Sequence, residues 1–312
     1  MRKFNLKGKV VRKLKELETE VPEKRTAEAG TEETVKEPSE AATLKHGGIR
    51  YAWRSDVGRI RKNNQDCVII GNGLFGVADG MGGHNGGEIA SATLCDGLLR
   101  ETEGKDPSLE LLEEAVKKVN YEIWEKQEKD ASLTGMGTTL TILWPVENNM
   151  IIGQVGDSLA YLIRNGQLKQ ITSDHSMVAD MVRRGVLTEE QAACHPMRNY
   201  ITRAVGTDDT VDVDMNSIPR MYGDRWIICS DGLYSQISKQ ELLETVKIAD
   251  LEEAADSLLK LALEHGGKDN ISLVLMQDEN VTEEPYKTGE AEDKPAETAK
   301  PEKTDQEGVT AQ

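Results

Sequence analysis

Seven short apolar runs constrain this chain more than any other feature of its 312 residues. Val68–Ile70, Leu74–Ala78, Thr139–Trp144, Met150–Val155, Leu159–Ile163, Trp226–Cys229 and Ile271–Met276 are each three to six residues long. Runs of that length, with Gly or Asn at most of their boundaries, read as strands. They lie close together, and Arg164-Asn165-Gly166-Gln167 carries the Asn-Gly pair of a tight hairpin, so antiparallel pairing is expected.

Elsewhere the apolar period changes to that of a helix. Leu112, Ala115, Val116, Val119 and Ile123 form one stripe on a helix expected to start near Pro107. Ser238-Lys239-Gln240-Glu241 has the form of a capping box, and the stripe in Leu251–Leu263 stops at Gly266-Gly267. Hairpins combined with two-faced helices predict an α+β layered fold. Trp53, Trp124, Trp144 and Trp226 fall within apolar patterns and are assigned to the core.

The folded part is bounded by composition. Residues 1–46 and 278–312 hold too few large apolar side chains to offset chain entropy and are expected to be disordered tails, leaving 47–277 as one domain. Residues 1–15 carry seven Lys or Arg and no acid; with Phe4, Leu6, Val10, Val11 and Leu14 they have the pattern of a short amphipathic helix, although a solvated tail is the simpler reading. Segment 278–312 carries eleven acids against four Lys. The whole chain stands at −17, most of it on residues 47–277, which argues against nucleic acid as a partner. Cys67, Cys95, Cys194 and Cys229 are too far apart for a CxxC motif and are read as reduced thiols. No apolar run reaches the roughly 20 residues of a membrane span, and the start lacks the apolar core of a signal peptide, so a cytoplasmic protein is expected.

Aspartates recur where the apolar runs end. Asp79 follows Leu74–Ala78, Asp157 follows Ile151–Gly156, Asp231 follows Trp226–Ser230, and Asp269 precedes Asn270 and Ile271–Met276. A single Asp-Gly is an ordinary turn. Four carboxylates at strand mouths are harder to assign to turns alone, and if they converge, each pair about 4 Å apart would repel by roughly 4 kcal/mol at an effective dielectric near 20. Cations must then sit among them. Oxygen ligands without His or Cys select Mg²⁺ or Mn²⁺. Two such ions can generate hydroxide from a shared water and screen a phosphoryl group under in-line attack.

Seven motifs in unbroken order carry a family resemblance. Arg61-Lys62-Asn63-Asn64-Gln65-Asp66, Val77-Ala78-Asp79-Gly80-Met81-Gly82-Gly83, Gly137-Thr138-Thr139, Gly156-Asp157-Ser158, Asp174-His175-Ser176, Ser230-Asp231-Gly232 and Lys268-Asp269-Asn270 resemble the metal-dependent protein phosphatases of type 2C in their bacterial form. The resemblance implies a four-layer αββα sandwich, two antiparallel sheets between pairs of helices. It implies a phosphoserine/phosphothreonine phosphatase that opposes bacterial-type Ser/Thr kinases through a metal-bridged hydroxide. Its partners would be phosphorylated proteins, the kinase's substrates and the kinase itself, and a monomer is expected. An alternative is a catalytically silent phosphoprotein-binding regulator of the same fold, a reading disfavoured by the presence of all four metal aspartates.

By the same resemblance, Asp79 bridges two Mn²⁺ or Mg²⁺ ions, the Gly80 carbonyl joins one site, and Asp231 and Asp269 complete the other. Asp157 shares a third, weaker metal with Asp231, Asp66 acts through metal-bound water, and Arg61 grips the phosphate. A flap would lie between Ser176 and Thr202, where Val178–Gly185 and Thr188–Ala193 read as two short helices, with Thr188 and Gln191 forming a capping box. The sequence departs from the pattern twice. Met81 stands where many eukaryotic members have the His proposed as general acid, leaving His84 and His175 as candidate proton donors, and Gln65 replaces a common Glu. Arg203, just after the flap, is expected in a structural salt bridge.

Overall fold

The computed structural model describes residues 44–46, 48–82 and 86–279. The basic stretch Arg2–Lys15, nearly all of both expected tails, and His84 lie outside the described residues.

Strands β1 (Leu44–His46), β2 (Ile49–Asp56), β12 (Ile271–Asp278), β11 (Arg225–Cys229), β8 (Leu159–Arg164) and β9 (Gln167–Gln170) form one sheet in that order. The second sheet runs β10 (Asp214–Pro219), β7 (Asn149–Val155), β6 (Leu140–Val146), β4 (Leu74–Met81) and β3 (Asp66–Gly71), with β5 (Gly137–Thr138) paired to the end of β4. All the pairings are antiparallel, as the hairpin signals predict. Asn165 (φ 53°) and Gly166 (φ 74°) both adopt the left-handed conformation that the two-residue turn between β8 and β9 needs.

Alternate residues of each strand face different neighbours. Phe75 and Val77 on β4, Leu143 on β6 and Met150 and Ile152 on β7 meet Trp226, Ile228, Val274 and Met276 between the sheets. Leu74 and Ala78 instead face helices α1 (Gly86–Thr102) and α2 (Leu109–Lys129), which bring Leu94, Leu98, Leu112, Val116, Val119 and Ile123. Ile227, Cys229, Leu273 and Leu275 face α6 (Lys239–Thr245) and α7 (Leu251–Glu264) on the other side. Both faces of each sheet are thus covered, which is why its central strands read as continuous apolar runs rather than as alternation. The result is the four-layer αββα sandwich.

Local signals account for the helix ends. Ser108 caps α2 through Leu111 N, so the helix begins after Pro107 rather than at it. The capping boxes Ser238/Glu241 and Thr188/Gln191 both form, the latter on α4 (Glu189–Ala193), which follows α3 (Met177–Arg183) in the flap segment. Helix α5 (Asp231–Tyr234) is a single turn. Of the four tryptophans, Trp144 and Trp226 are fully buried and Trp53 packs at the edge of the inter-sheet core. Trp124 corrects the expectation. It is only partly buried and lies 5.3 Å from the exposed Tyr121 ring on the outer side of α2.

The folded region is slightly longer than expected at both ends. β1 takes up Leu44–His46, and Asp278, placed by the sequence in the acidic tail, is 1% exposed within β12. Arg220 explains this burial by a two-pronged pair with Asp278, Nε to Oδ2 at 2.5 Å and Nη2 to Oδ1 at 3.0 Å. Arg220→Ala strands a buried carboxylate and is expected to cost about 3–5 kcal/mol, whereas replacing both partners by apolar residues of similar size costs far less. Urea unfolding of the single and double variants, compared at equal m-value, checks both outcomes.

Candidate active site

The carboxylates come together because strand ends from both sheets meet. Asp66 opens β3 directly opposite Asp79, near the end of β4. Asp157 follows β7 after a turn at Gly156 (φ 97°), Asp231 follows β11 as the first residue of α5, and Asp269 lies two residues before β12. The sheets are tied together here: Ser230 Oγ, next to Asp231, donates to Asp66 Oδ2 at 2.8 Å.

Each aspartate is set by neutral hydrogen bonds to its surroundings. Thr138 Oγ1 and Thr139 N donate to the Asp79 carbonyl at 3.0 and 2.9 Å, while Asp79 N donates to Thr139 Oγ1 at 2.9 Å. Thr139 Oγ1 in turn shares a 2.8 Å bond with Ser158 Oγ, beside Asp157. Gly80 N donates to Gln65 O at 3.1 Å, and a Cβ on Gly80 would lie 2.0 Å from Gly87 O. Only glycine lets the end of β4 approach the start of α1 so closely. Asn270 pins the loop that carries Arg61. Its Nδ2 donates to Val57 O and Asn63 O at 3.0 and 2.9 Å, and its Oδ1 accepts from Gln65 N at 2.8 Å.

Electrostatic coupling shows the convergence. Desolvation and then Asp66, Asp231, Asp157 and Asp269 hold the Asp79 carboxyl well above the usual range. Asp231 is pushed up to about 8 by desolvation, then by Asp157, Asp269 and Asp66, with Arg61 pulling the other way. Asp157 is pushed up to about 7 by burial and then by Asp174 and Asp269. Burial lifts Asp66 to about 6 against the hydroxyls of Ser272 and Ser230. Asp66 Oδ1 and Asp174 Oδ1 are buried with no hydrogen-bond partner among the described residues. Buried acceptors of this kind want a cation or its hydration shell.

The donor set narrows the choice of cation. The converging side chains are carboxylates, hard oxygen donors rather than the Cys and His of zinc cages. Mg²⁺ and Mn²⁺ keep several waters and use one or two carboxylates with carbonyl oxygens. Converging aspartates fit that chemistry.

The other expected site residues are placed as follows. Arg61 reaches the cluster, with Nη2 on Asp269 Oδ2 at 2.7 Å and half of its side chain exposed. His175, a candidate proton donor, is 4% exposed and engaged at both ring nitrogens: Nδ1 accepts from Gly156 N at 3.1 Å, so Nε2 carries the proton toward Asp214 Oδ2 at 3.0 Å. Its Nδ1 braces the Gly156–Asp157 turn, and the proton of this candidate donor points to Asp214. Arg203 makes the structural pair expected of it, Nη1 to Asp214 Oδ1 at 2.5 Å. Sequence reasoning gave no role to Asn270, Ser230, Thr139 or Asp174. All four sit inside the quoted motifs, but partners such as Asn270 and Val57 are 213 residues apart, so only folding reveals their roles.

Comparison with known proteins agrees with the geometry. The family model described as protein phosphatase 2C matches residues 62–272. The serine/threonine protein phosphatase PstP of Mycobacterium tuberculosis (strain ATCC 25618 / H37Rv) is 41% identical over 229 residues, covering 73% of this chain but 44% of that protein, so the chain spans under half of this relative's length. The serine/threonine phosphatase stp of Listeria monocytogenes (strain ATCC BAA-679 / EGD-e) is 36% identical, with 72% and 94% covered. Among solved structures, M. tuberculosis PstP/Ppp superposes with TM-score 0.71 at 39% identity, covering 74% of this chain and 99% of that one. The catalytic domain of PstP in complex with two manganese ions gives TM-score 0.69 at 38% identity, with 73% and 97% covered. Sequence and fold agree, and the chain belongs to the protein phosphatase 2C family.

Proposed function

We propose that this protein hydrolyses phosphoserine and phosphothreonine in proteins with two Mn²⁺ or Mg²⁺ ions, a third joining at Asp157. The observation that carries the reading is the convergence of aspartates from five strand ends, with Asp66 paired opposite Asp79, Ser230 beside Asp231 bonded to Asp66, and Arg61 on Asp269. The named relatives are serine/threonine phosphatases, and the PstP catalytic domain was solved with two manganese ions bound. Its substrates are proteins phosphorylated by a Ser/Thr kinase, the kinase among them, in the cytoplasm, where four free thiols are at home.

When bound, the ions supply charge screening for the phosphoryl oxygens and a water activated at neutral pH. The chain's own residues do the rest. Asp79, Asp231, Asp269 and the Gly80 carbonyl would hold the ions, and Asp66, oriented by Ser230, would hold their water. Arg61, half exposed at the rim, orients the phosphoryl group through its planar fork. Burial pushes the Cys95 and Cys229 thiols well up, away from the thiolate a nucleophile needs, and none of the seven motifs contains a cysteine. Hydrolysis is read as direct, without a phosphoenzyme. The candidate donors to the leaving oxygen are His84, His175, whose Nε2 faces Asp214, and water.

Asp79→Ala and Asp231→Ala should each lower phosphate release from a phosphothreonine peptide in Mn²⁺ by more than about a hundredfold. Full activity in either variant refutes the assignment. Stability supplies a second check. Carboxyls whose folded pKa lies above the unfolded value near 4 bind protons on folding, so they cost nothing below about pH 4 and progressively more as pH rises toward 8. In EDTA the urea midpoint should fall between pH 5 and 8. Saturating Mn²⁺ should raise it and flatten that slope, and Asp231→Asn should raise it in EDTA while removing activity.

A further inference from the structure

A cavity of about 310 Å³ opens beside the carboxylate cluster. It is lined by Met81, which directly follows Gly80, and by Ile201, Arg203, Ala204, Val211 and Asp212, with Asp208 and Thr hydroxyls at the mouth. Met81, Ile201, Ala204 and Val211 give it an apolar side, while most of its exposed lining is polar, from Thr202, Thr207, Thr210 and the acids. Its rim is acidic. Asp208 and Asp212 are exposed, and neither makes an ion pair among the described residues. Arg203 does not balance them, because its charge is matched by Asp214 and its Nη1 also donates to Asp212 O.

The far wall is fixed before anything binds. Asn120 on α2 accepts from Gly206 N at 2.6 Å and donates to Asp208 O at 3.0 Å, and Gln127 Nε2 donates to Gly206 O. Gly206 (φ +88°) lies so close to Ile123 that a Cβ there would come within 2.2 Å of Cγ2. Val205 pairs both ways with Thr138, whose hydroxyl holds the Asp79 carbonyl. The cavity and the metal-binding aspartate therefore share one rigid frame.

We infer that this cavity is a specificity subsite that takes the Lys or Arg side chain of a residue flanking the phosphorylated one. The assignment deepens the phosphatase reading and rests on it. An apolar side beside exposed carboxylates and Thr hydroxyls accommodates an aliphatic stem with a cationic, hydrogen-bonding tip. The volume is at the lower limit of small-ligand pockets, and suits a side chain better than a whole cofactor. An extended peptide advances about 3.4 Å per residue, so a pocket reached at Met81, two residues along β4 from Asp79, lies within reach of a near neighbour of the phosphoresidue.

The test uses one phosphothreonine peptide scaffold with Lys, Arg, Ala or Glu placed in turn at each flanking position, in Mn²⁺, with p-nitrophenyl phosphate measured in parallel. At one position the wild type should prefer Lys or Arg over Glu in kcat/KM by roughly five- to tenfold, chiefly through KM. The double variant D208N/D212N should compress that ratio to near unity, and Asp212→Lys should invert it. An unchanged ratio in both variants, or no position with a basic preference, overturns the subsite. Failure of the wild type on every peptide and on p-nitrophenyl phosphate overturns instead the phosphatase reading beneath it.

Discussion

Like charges held together against their repulsion are the constraint from which most of this structure follows. Burial first, and then neighbouring carboxylates, raise the proton affinity of Asp66, Asp79, Asp157 and Asp231, and nothing apolar can hold them in place. The restraint comes from short neutral donors: Ser230 on Asp66, Thr138 and Thr139 on the Asp79 backbone, Asn270 on the loop before Asp66. These groups fix direction without neutralising charge, which leaves the carboxylates available to cations. Arg61 brings positive charge into the group, and it does so from a half-exposed side chain.

Rigidity on that scale needs a broad foundation. Two sheets covered on all four faces supply it, because each strand end carrying a site residue continues from a strand packed on both sides. A strand in such a position cannot slip register by one residue without driving Phe75 and Val77 into the helical layer and Leu74 and Ala78 between the sheets. The position of Asp79 is thereby fixed by hydrophobic packing several residues away.

The parts written locally were legible in the sequence. The Asn165-Gly166 turn, the capping boxes at Ser238 and Thr188 and the α2 stripe from Leu112 to Ile123 all form as their own few residues dictate. What escaped depends on partners far along the chain. β2 reads as a mixed polar stretch and becomes a strand by pairing with β12, and β10 is a largely exposed edge with no apolar run to announce it. Asp278 looks like the first residue of an acidic tail until Arg220, 58 positions earlier, is brought beside it. At the site, the aspartates could be picked out by their place at strand mouths, but the duty of His175 could not. Only the folded structure shows both its nitrogens engaged.

The brace that α2 makes on Gly206 and Asp208 has a thermodynamic consequence. Asn120 and Gln127 are buried, so this loop spends its conformational freedom at folding rather than at association. A partner docking on residues 207–212 meets a surface already ordered, and the entropic cost of association falls on the partner alone.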